Sequence, residues 1–196
     1  MEEKLEIRRQ LFHLTGGTAA LALIWAGMLT PLALICIILL GLLLSSASRN
    51  RQIPGVHWFL QRFARKEEMR TVPGKGPLTF LLGMLIALVL FQRQVALASI
   101  AILIYADSIS HLVGRYYGRI RHPFTDKKFI EGAAAGAFAG FLGAVLFVDP
   151  VHAFTASTGA MLMEGLEINI RGFRMDDNLT IPVVSGMIII VSRLIF

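Results

Sequence analysis

Ile104 to Gly136 reads IYADSISHLVGRYYGRIRHPFTDKKFIEGAAAG, and the reading of this stretch decides the fold. An apolar run takes in an acid, Asp107, and a basic loop follows with Arg115, Arg119, Arg121, Lys127 and Lys128 before Glu131 opens a run of small residues. A carboxylate inside a segment long enough to cross a bilayer is expensive unless it faces a polar cavity, binds a cation or pairs with an arginine of a neighbouring helix. The stretch therefore predicts a membrane helix whose polar end is a meeting place for phosphates and a metal ion.

The rest of the chain agrees with a membrane setting. Of 196 residues, 55% are hydrophobic and 16% charged, and the mean hydropathy is +0.66, outside the range of ordinary soluble domains. No contiguous polar segment is large enough for a separate core, so residues 1–196 are expected to form a single integral membrane domain. The formal charge of +6 is explained by loop charges and phosphate-bearing substrates, with no recognition fold or stacking motif that points to nucleic acid. The single Cys36 lies in an apolar run and reads as a buried core thiol. Lys4, Arg8 and Arg9 ahead of an apolar run imitate a signal peptide, but Glu2, Glu3 and Glu6 and the lack of a small-residue cleavage site argue for a retained first span.

Apolar segments at Leu11 to Leu29, Pro31 to Ala47, Pro77 to Phe91, Val95 to Val113, Ala133 to Val148, Val151 to Leu166 and Leu179 to Phe196 predict an all-α, polytopic transmembrane bundle of about seven spans. With the N-terminus cytoplasmic, every basic residue except Arg93 and Arg193 falls on the cytoplasmic side, as do the long loops at about 48–76, 114–131 and 167–178. The site is expected to face the cytoplasm.

The first long loop carries Arg49, Arg51, Arg62, Arg65, Lys66, Arg70 and Lys75 around Val56, Phe59, Leu60 and Phe63. Those four recur at i, i+3, i+4 and i+7, the pattern of an amphipathic helix in the headgroup plane, either a lipid anchor or a basic collar that draws a nucleotide to the membrane. Gly74-Lys75-Gly76-Pro77 lacks the upstream glycine, the following Ser or Thr and the preceding strand of a P-loop, so no P-loop fold is expected. Lys75 either meets a phosphate or caps the bundle. Gly132, Gly136, Gly140 and Gly143 predict close helix packing beside the site rather than chemistry.

Within a helix, Asp107, Ser110, His111, Gly114 and Gly118 share one face, and in the first span Glu6, Arg9, His13, Gly16 and Gly17 do the same. Arg9 can bridge phosphate oxygens in a bidentate way, whereas Arg8 on the adjoining face satisfies topology. Asp176-Asp177-Asn178-Leu179-Thr180-Ile181-Pro182 reads as a capped helix start. Capping by an Asp or Asn would account for one carboxylate, and the two acids with Asn178 at a membrane helix entrance are candidates to hold magnesium (Mg2+), a hard cation that carries nucleotide phosphates. Asn178-Leu179-Thr180 also matches a glycosylation acceptor, a chance match on the cytoplasmic side. No cysteine pair, HExxH or nucleophile elbow is present, which weighs against zinc and serine hydrolases. Acids combined with arginines and lysines suit phosphoryl or nucleotidyl transfer.

Four stretches together resemble the polyprenol kinase family, which includes dolichol kinase, phytol kinase and the CTP-dependent diacylglycerol kinases. They are Glu6 to Gly17 (EIRRQLFHLTGG), Ala106 to Gly118 (ADSISHLVGRYYG), Lys127 to Gly136 (KKFIEGAAAG) and Asp177 to Gly186 (DNLTIPVVSG). Ala106 stands where the family often has glycine, and Phe129 where a serine often follows the lysine pair. The resemblance implies a membrane enzyme that moves the terminal phosphate of CTP to the hydroxyl of a long isoprenoid alcohol of the dolichol or polyprenol type, with Mg2+ or another divalent cation. Asp107 and Asp177 would hold the metal or orient the hydroxyl, with Lys128 as the third catalytic residue. Arg9, Lys75, Arg115 and Lys128 would neutralise the triphosphate, and Asn178 and Glu131 would complete metal or nucleotide contacts. His13, Ser110 and His111 would stand on the lipid-alcohol side or behind these groups. The alternatives are a phosphatidate-type cytidylyltransferase, which would release pyrophosphate and form a CDP-lipid, and a non-enzymatic membrane carrier or assembly protein.

Overall fold

The computed structural model describes residues 2–50, 53–64, 68–69, 71–123, 125–166, 169–170 and 173–195. Arg51, Arg65, Lys66 and Arg70 of the first long loop lie outside the described residues, as do the side chains of Arg49 and Lys127 and parts of the 167–178 loop. Eight helices of ten residues or more are described: α1 (Glu2–Trp25), α2 (Pro31–Asn50), α3 (Pro54–Phe63), α4 (Lys75–Leu90), α5 (Arg93–Tyr117), α6 (Ile130–Ala144), α7 (Pro150–Gly165) and α8 (Asp177–Ile195). Among them α2, α5 and α8 are long and apolar enough to cross a membrane.

Local chemistry sets the helix ends. Gly27 takes a positive φ of 75°, which turns the chain out of α1 without a Cβ clash before Pro31 opens α2. Asp149 caps α7 by accepting from Val151 N–H at 3.0 Å, again with proline in the first position. Two antiparallel hairpins depart from the all-α expectation: β1 (Arg121–His122) with β2 (Thr125–Phe129), and β3 (Asn169–Ile170) with β4 (Phe173–Arg174). Both lie in polar stretches too short to repay helix nucleation, and Pro123 offers no N–H to a helical ladder.

Helix α5 is the axis of the bundle. Within Arg93–Tyr117 the 18-residue apolar window is 78% buried, against 17% of Pro31–Ser48, and α1, α4, α6, α7 and α8 all pack on this helix. Its apolar sequence on every side permits this, since a helix hydrophobic all round is stable only when surrounded. The tightest contact is with α6, where the expected packing role of the glycines is visible. A Cβ on Gly132 would sit 2.6 Å from Ser110 O and 2.9 Å from the Gly114 Cα, so only glycine lets the two backbones meet there.

Two further readings shift. Among the described residues α2 packs mainly on α4 and less on α3, and Cys36 is exposed and not in the core. The α3 helix forms as expected, but its apolar face turns onto α1: Phe12 packs on Phe59 and Phe63 at centroid separations of 5.4 and 5.1 Å, and Leu60 is buried.

Candidate active site

The first turns of α4, α6 and α8 and the last turns of α5 and α7 converge with the Glu6–His13 part of α1 at one end of the bundle. Strand β2 delivers Lys128 to the centre of this region directly before α6 begins. Its Nζ lies 2.5 Å from Glu164 Oε1, 3.2 Å from the Glu164 carbonyl and 3.1 Å from Asp177 Oδ2. Burial pushes the Lys128 ammonium towards losing its proton, but the carboxylates of Glu164 and Asp177 outweigh this and raise its pKa. The lysine is a fixed positive charge.

Asp107, buried nearly three turns before the end of α5, faces His111 on the same helix, with Oδ1 and Nε2 3.4 Å apart. One ligand atom from each of Asp107, His111, Glu164 and Asp177 can be chosen so that all lie within 4.8 Å of one another. Three of the four donors are carboxylates, and carboxylate oxygens are what a hard divalent cation prefers. The donor set thus fits Mg2+.

Cavities flank this cluster on both sides. One, of about 520 Å³, is lined mainly by polar groups, among them Arg9, Gln10, His13, Glu68, Lys75 and Asp177. The other, of about 530 Å³, has Phe129, Ala133 and Met161 in its wall beside Ser110, Arg115 and Lys128. His111 lines both.

The expected site residues are distributed as follows. Arg9 lies 3.2 Å from Glu6 and 3.5 Å from Glu68, and Lys75 lies 3.6 Å from Asp176. Asp176 takes the capping role, accepting from Asn178 N–H at 3.2 Å, which frees Asp177 for Lys128. Asn178 is buried and donates to Thr79 Oγ1 at 3.0 Å. This contact depends on a close approach of α4, because a Cβ on Gly83 would collide with the Asn178 carbonyl. Ser110 lends its hydroxyl proton to the Asp107 carbonyl at 2.9 Å. His13 is buried against Phe80, ring centroids 4.5 Å apart.

Two expected nucleotide-binding residues part from the rest. Arg115 lies in the cavity opposite Arg9 and Lys75. Glu131 lines neither cavity; its carboxylate accepts from the N–H groups of Arg119 and Ile120 at 3.1 and 3.0 Å. Hydrogen bonds from backbone N–H groups, its own first and then those of Ile120 and Arg119, hold that carboxyl below its ordinary pKa despite an opposing desolvation effect.

Glu164 was not singled out from sequence although the rule applied to Asp107 covers it, an acid in the apolar run of α7. Gln10 and Glu68 were also missed. Gln10 lies within the matched first stretch, between Arg9 and His13, but an amide carries no charge signal. Glu68 acquires meaning only from its 3.5 Å approach to Arg9.

No family model matches the chain, and no solved structure matches it. Relatives known by sequence do. CTP-dependent diacylglycerol kinase 1 of Eremothecium gossypii is 28% identical over 149 residues, covering 63% of this chain and 45% of the relative. An uncharacterized protein of Methanocaldococcus jannaschii is 30% identical over 188 residues, 94% of this chain and 92% of the relative. A probable chloroplastic phytol kinase of Triticum aestivum is 30% identical over 90 residues, 45% of this chain and 29% of the relative. The chain spans about half the length of the diacylglycerol kinases it matches. Fold and site define a helical membrane protein with an acid-and-lysine cluster at one end of its bundle. The chain belongs to the polyprenol kinase family, of which the diacylglycerol and phytol kinases are members.

Proposed function

We propose that this protein is a CTP-dependent lipid-alcohol kinase that transfers the terminal phosphate of CTP to a long isoprenoid alcohol of the dolichol or polyprenol type. The observation that carries this reading is the position of His111 in the wall of two cavities of different character, with Asp107, Lys128, Glu164 and Asp177 around it. The names of the diacylglycerol and phytol kinase relatives support the reaction class and, for the former, the nucleotide.

The polar cavity takes the nucleotide. Arg9 and Lys75 attract the phosphates, and Asn178 and Asp177 border their path. The cavity walled by Phe129, Ala133 and Met161 takes the hydroxyl end of the alcohol, while the tail stays in lipid. Reaction forms a bond between the alcohol oxygen and the terminal phosphorus and breaks the bond from that phosphorus to the bridging oxygen of CDP. The hydroxyl proton passes to the Asp107 and His111 pair. Lys128 stabilises charge on the transferring group, which is where most catalytic advantage lies in phosphoryl transfer. Arg115, on the alcohol side, meets the new lipid phosphate. Asp107, Asp177 and Glu164 would hold Mg2+, which supplies charge neutralisation for the triphosphate.

Seven spans, α1, α2 and α4 to α8, with a cytoplasmic N-terminus would bring all these groups to the cytoplasmic side; the alternation of helix starts and helix ends in the site supports their lying on one side, and the bias of basic residues supports that side being the cytoplasm.

The test is incubation of the purified full chain with labelled CTP, Mg2+ and, in parallel, dolichol, a polyprenol, geranylgeraniol, phytol or diacylglycerol. CDP and a phosphorylated isoprenoid are expected. Pyrophosphate with a CDP-lipid would overturn the kinase reading, and preference for diacylglycerol would overturn the choice of alcohol.

A further inference from the structure

Among the described residues, four buried side-chain polar atoms have no hydrogen-bond partner: Gln10 Oε1, His13 Nδ1, Glu68 Oε2 and Ser108 Oγ. The first three residues line the same cavity. An unpaired buried polar atom is costly in a folded chain, and three around one space ask for a ligand that completes them.

The chemistry of the missing partner follows from the neighbours. The Gln10 amide donates through Nε2 to Glu6 Oε1 at 3.0 Å, and a carboxylate can only accept, so the amide has one orientation and presents Oε1 as an acceptor. Glu68 engages Arg9 through Oε1 and leaves Oε2, a second acceptor. His13 adds a ring nitrogen and is held in place by Phe80. Two acceptors beside one imidazole match an exocyclic amino group next to a ring nitrogen. We infer that Gln10, Glu68 and His13 read the amino edge of the cytosine base, with Gln10 Oε1 and Glu68 Oε2 receiving the N4 hydrogens and His13 Nδ1–H donating to N3. Uracil would turn a carbonyl oxygen towards the two acceptors, and a site built to pair a donor rejects the analogue that lacks it. Arg9, one residue from Gln10 and paired to the same Glu68, joins base recognition to the phosphates. The inference rests on the nucleotide occupying the polar cavity.

The experiment measures kcat/KM of the full chain for CTP, UTP, dCTP and N4,N4-dimethyl-CTP with the best alcohol from the panel, in the wild type and in Gln10→Leu and Gln10→Met, which keep the volume and remove the acceptor. The wild type is expected to use UTP and N4,N4-dimethyl-CTP at least about tenfold less well than CTP. The CTP to UTP ratio is expected to fall about tenfold or more in the variants; being a ratio, it does not depend on how much protein is active. Competition binding of CTP and UTP to the same proteins provides the ratio even for a variant without turnover. Wild type that transfers phosphate equally from CTP and UTP overturns the inference and leaves the kinase reading intact. So does a ratio unchanged in both variants, or a change confined to CTP against dCTP, which would assign the acceptors to the ribose. Absence of transfer from any nucleotide, with binding that still prefers CTP, overturns the kinase reading alone.

Discussion

Lys128 Nζ lies 3.1 Å from Asp177 Oδ2 although 49 positions separate them, and the same ammonium holds Glu164 at 2.5 Å. One lysine thus ties the hairpin before α6 to the end of α7 and the start of α8. Replacing it by methionine leaves two carboxylates facing each other with no cation, a loss of about 3–5 kcal/mol for a buried pair. Lys128→Met is expected to lower the melting temperature in detergent and to abolish transfer. Adding Glu164→Gln should restore part of the stability but not the activity, a non-additivity that a double-mutant cycle reads directly.

Alkaline pH should expose the same contact. A lysine whose pKa is raised by folding stabilises the protein fully below its ordinary value of 10.5, and that contribution fades as pH rises through the folded value. The melting-temperature difference between wild type and Lys128→Met is therefore expected not to shrink from neutral pH to about 10 and to shrink above it. A difference that already shrinks between pH 7 and 9 would contradict the assigned shift.

Asp107→Asn removes charge but little volume. Transfer is expected to fall at least about a hundredfold, the scale of a lost general base or charge-stabilising group, while expression and the melting profile stay close to wild type. Near-normal turnover would return Asp107 to a structural role as partner of His111.

Met161→Trp fills the cavity on the alcohol side. The KM for the alcohol is expected to rise several-fold with the KM for CTP unchanged. The opposite split would exchange the two cavities.

Gly132→Ala is expected to destabilise the bundle and lower activity, because its Cβ would press on the backbone of Ser110 and Gly114 beside His111. Gly16→Ala, with nothing within 4 Å of the new methyl, should be tolerated. A melting comparison of the two separates glycine needed for close approach from glycine that is merely present.

Much of this was legible beforehand. Asp107, His111 and Ser110 on one face of α5, a capped helix start within Asp176–Asn178 and the packing role of Gly132 follow from period and residue type, which act within one helix. Cys36 and the Val56 to Phe63 face were misplaced for a common reason: both are apolar, and apolarity does not say whether a side chain meets lipid or protein. The hairpin at Arg121 to Phe129 escaped because two short strands leave no periodic signal.

By itself, the sequence determined that this chain folds as apolar helices with charged ends, and which residues each helix presents on its polar face, because both depend on local composition and a fixed rise and turn per residue. Only the tertiary structure decided that Lys128 meets Glu164 and Asp177, that Arg115 stands across the cluster from Arg9 and Lys75, and that Gln10, His13 and Glu68 share one cavity. Those relationships depend on how closely neighbouring helices approach and at what rotation, and that is set by glycine contacts such as Gly132 on Gly114 summed over the whole bundle.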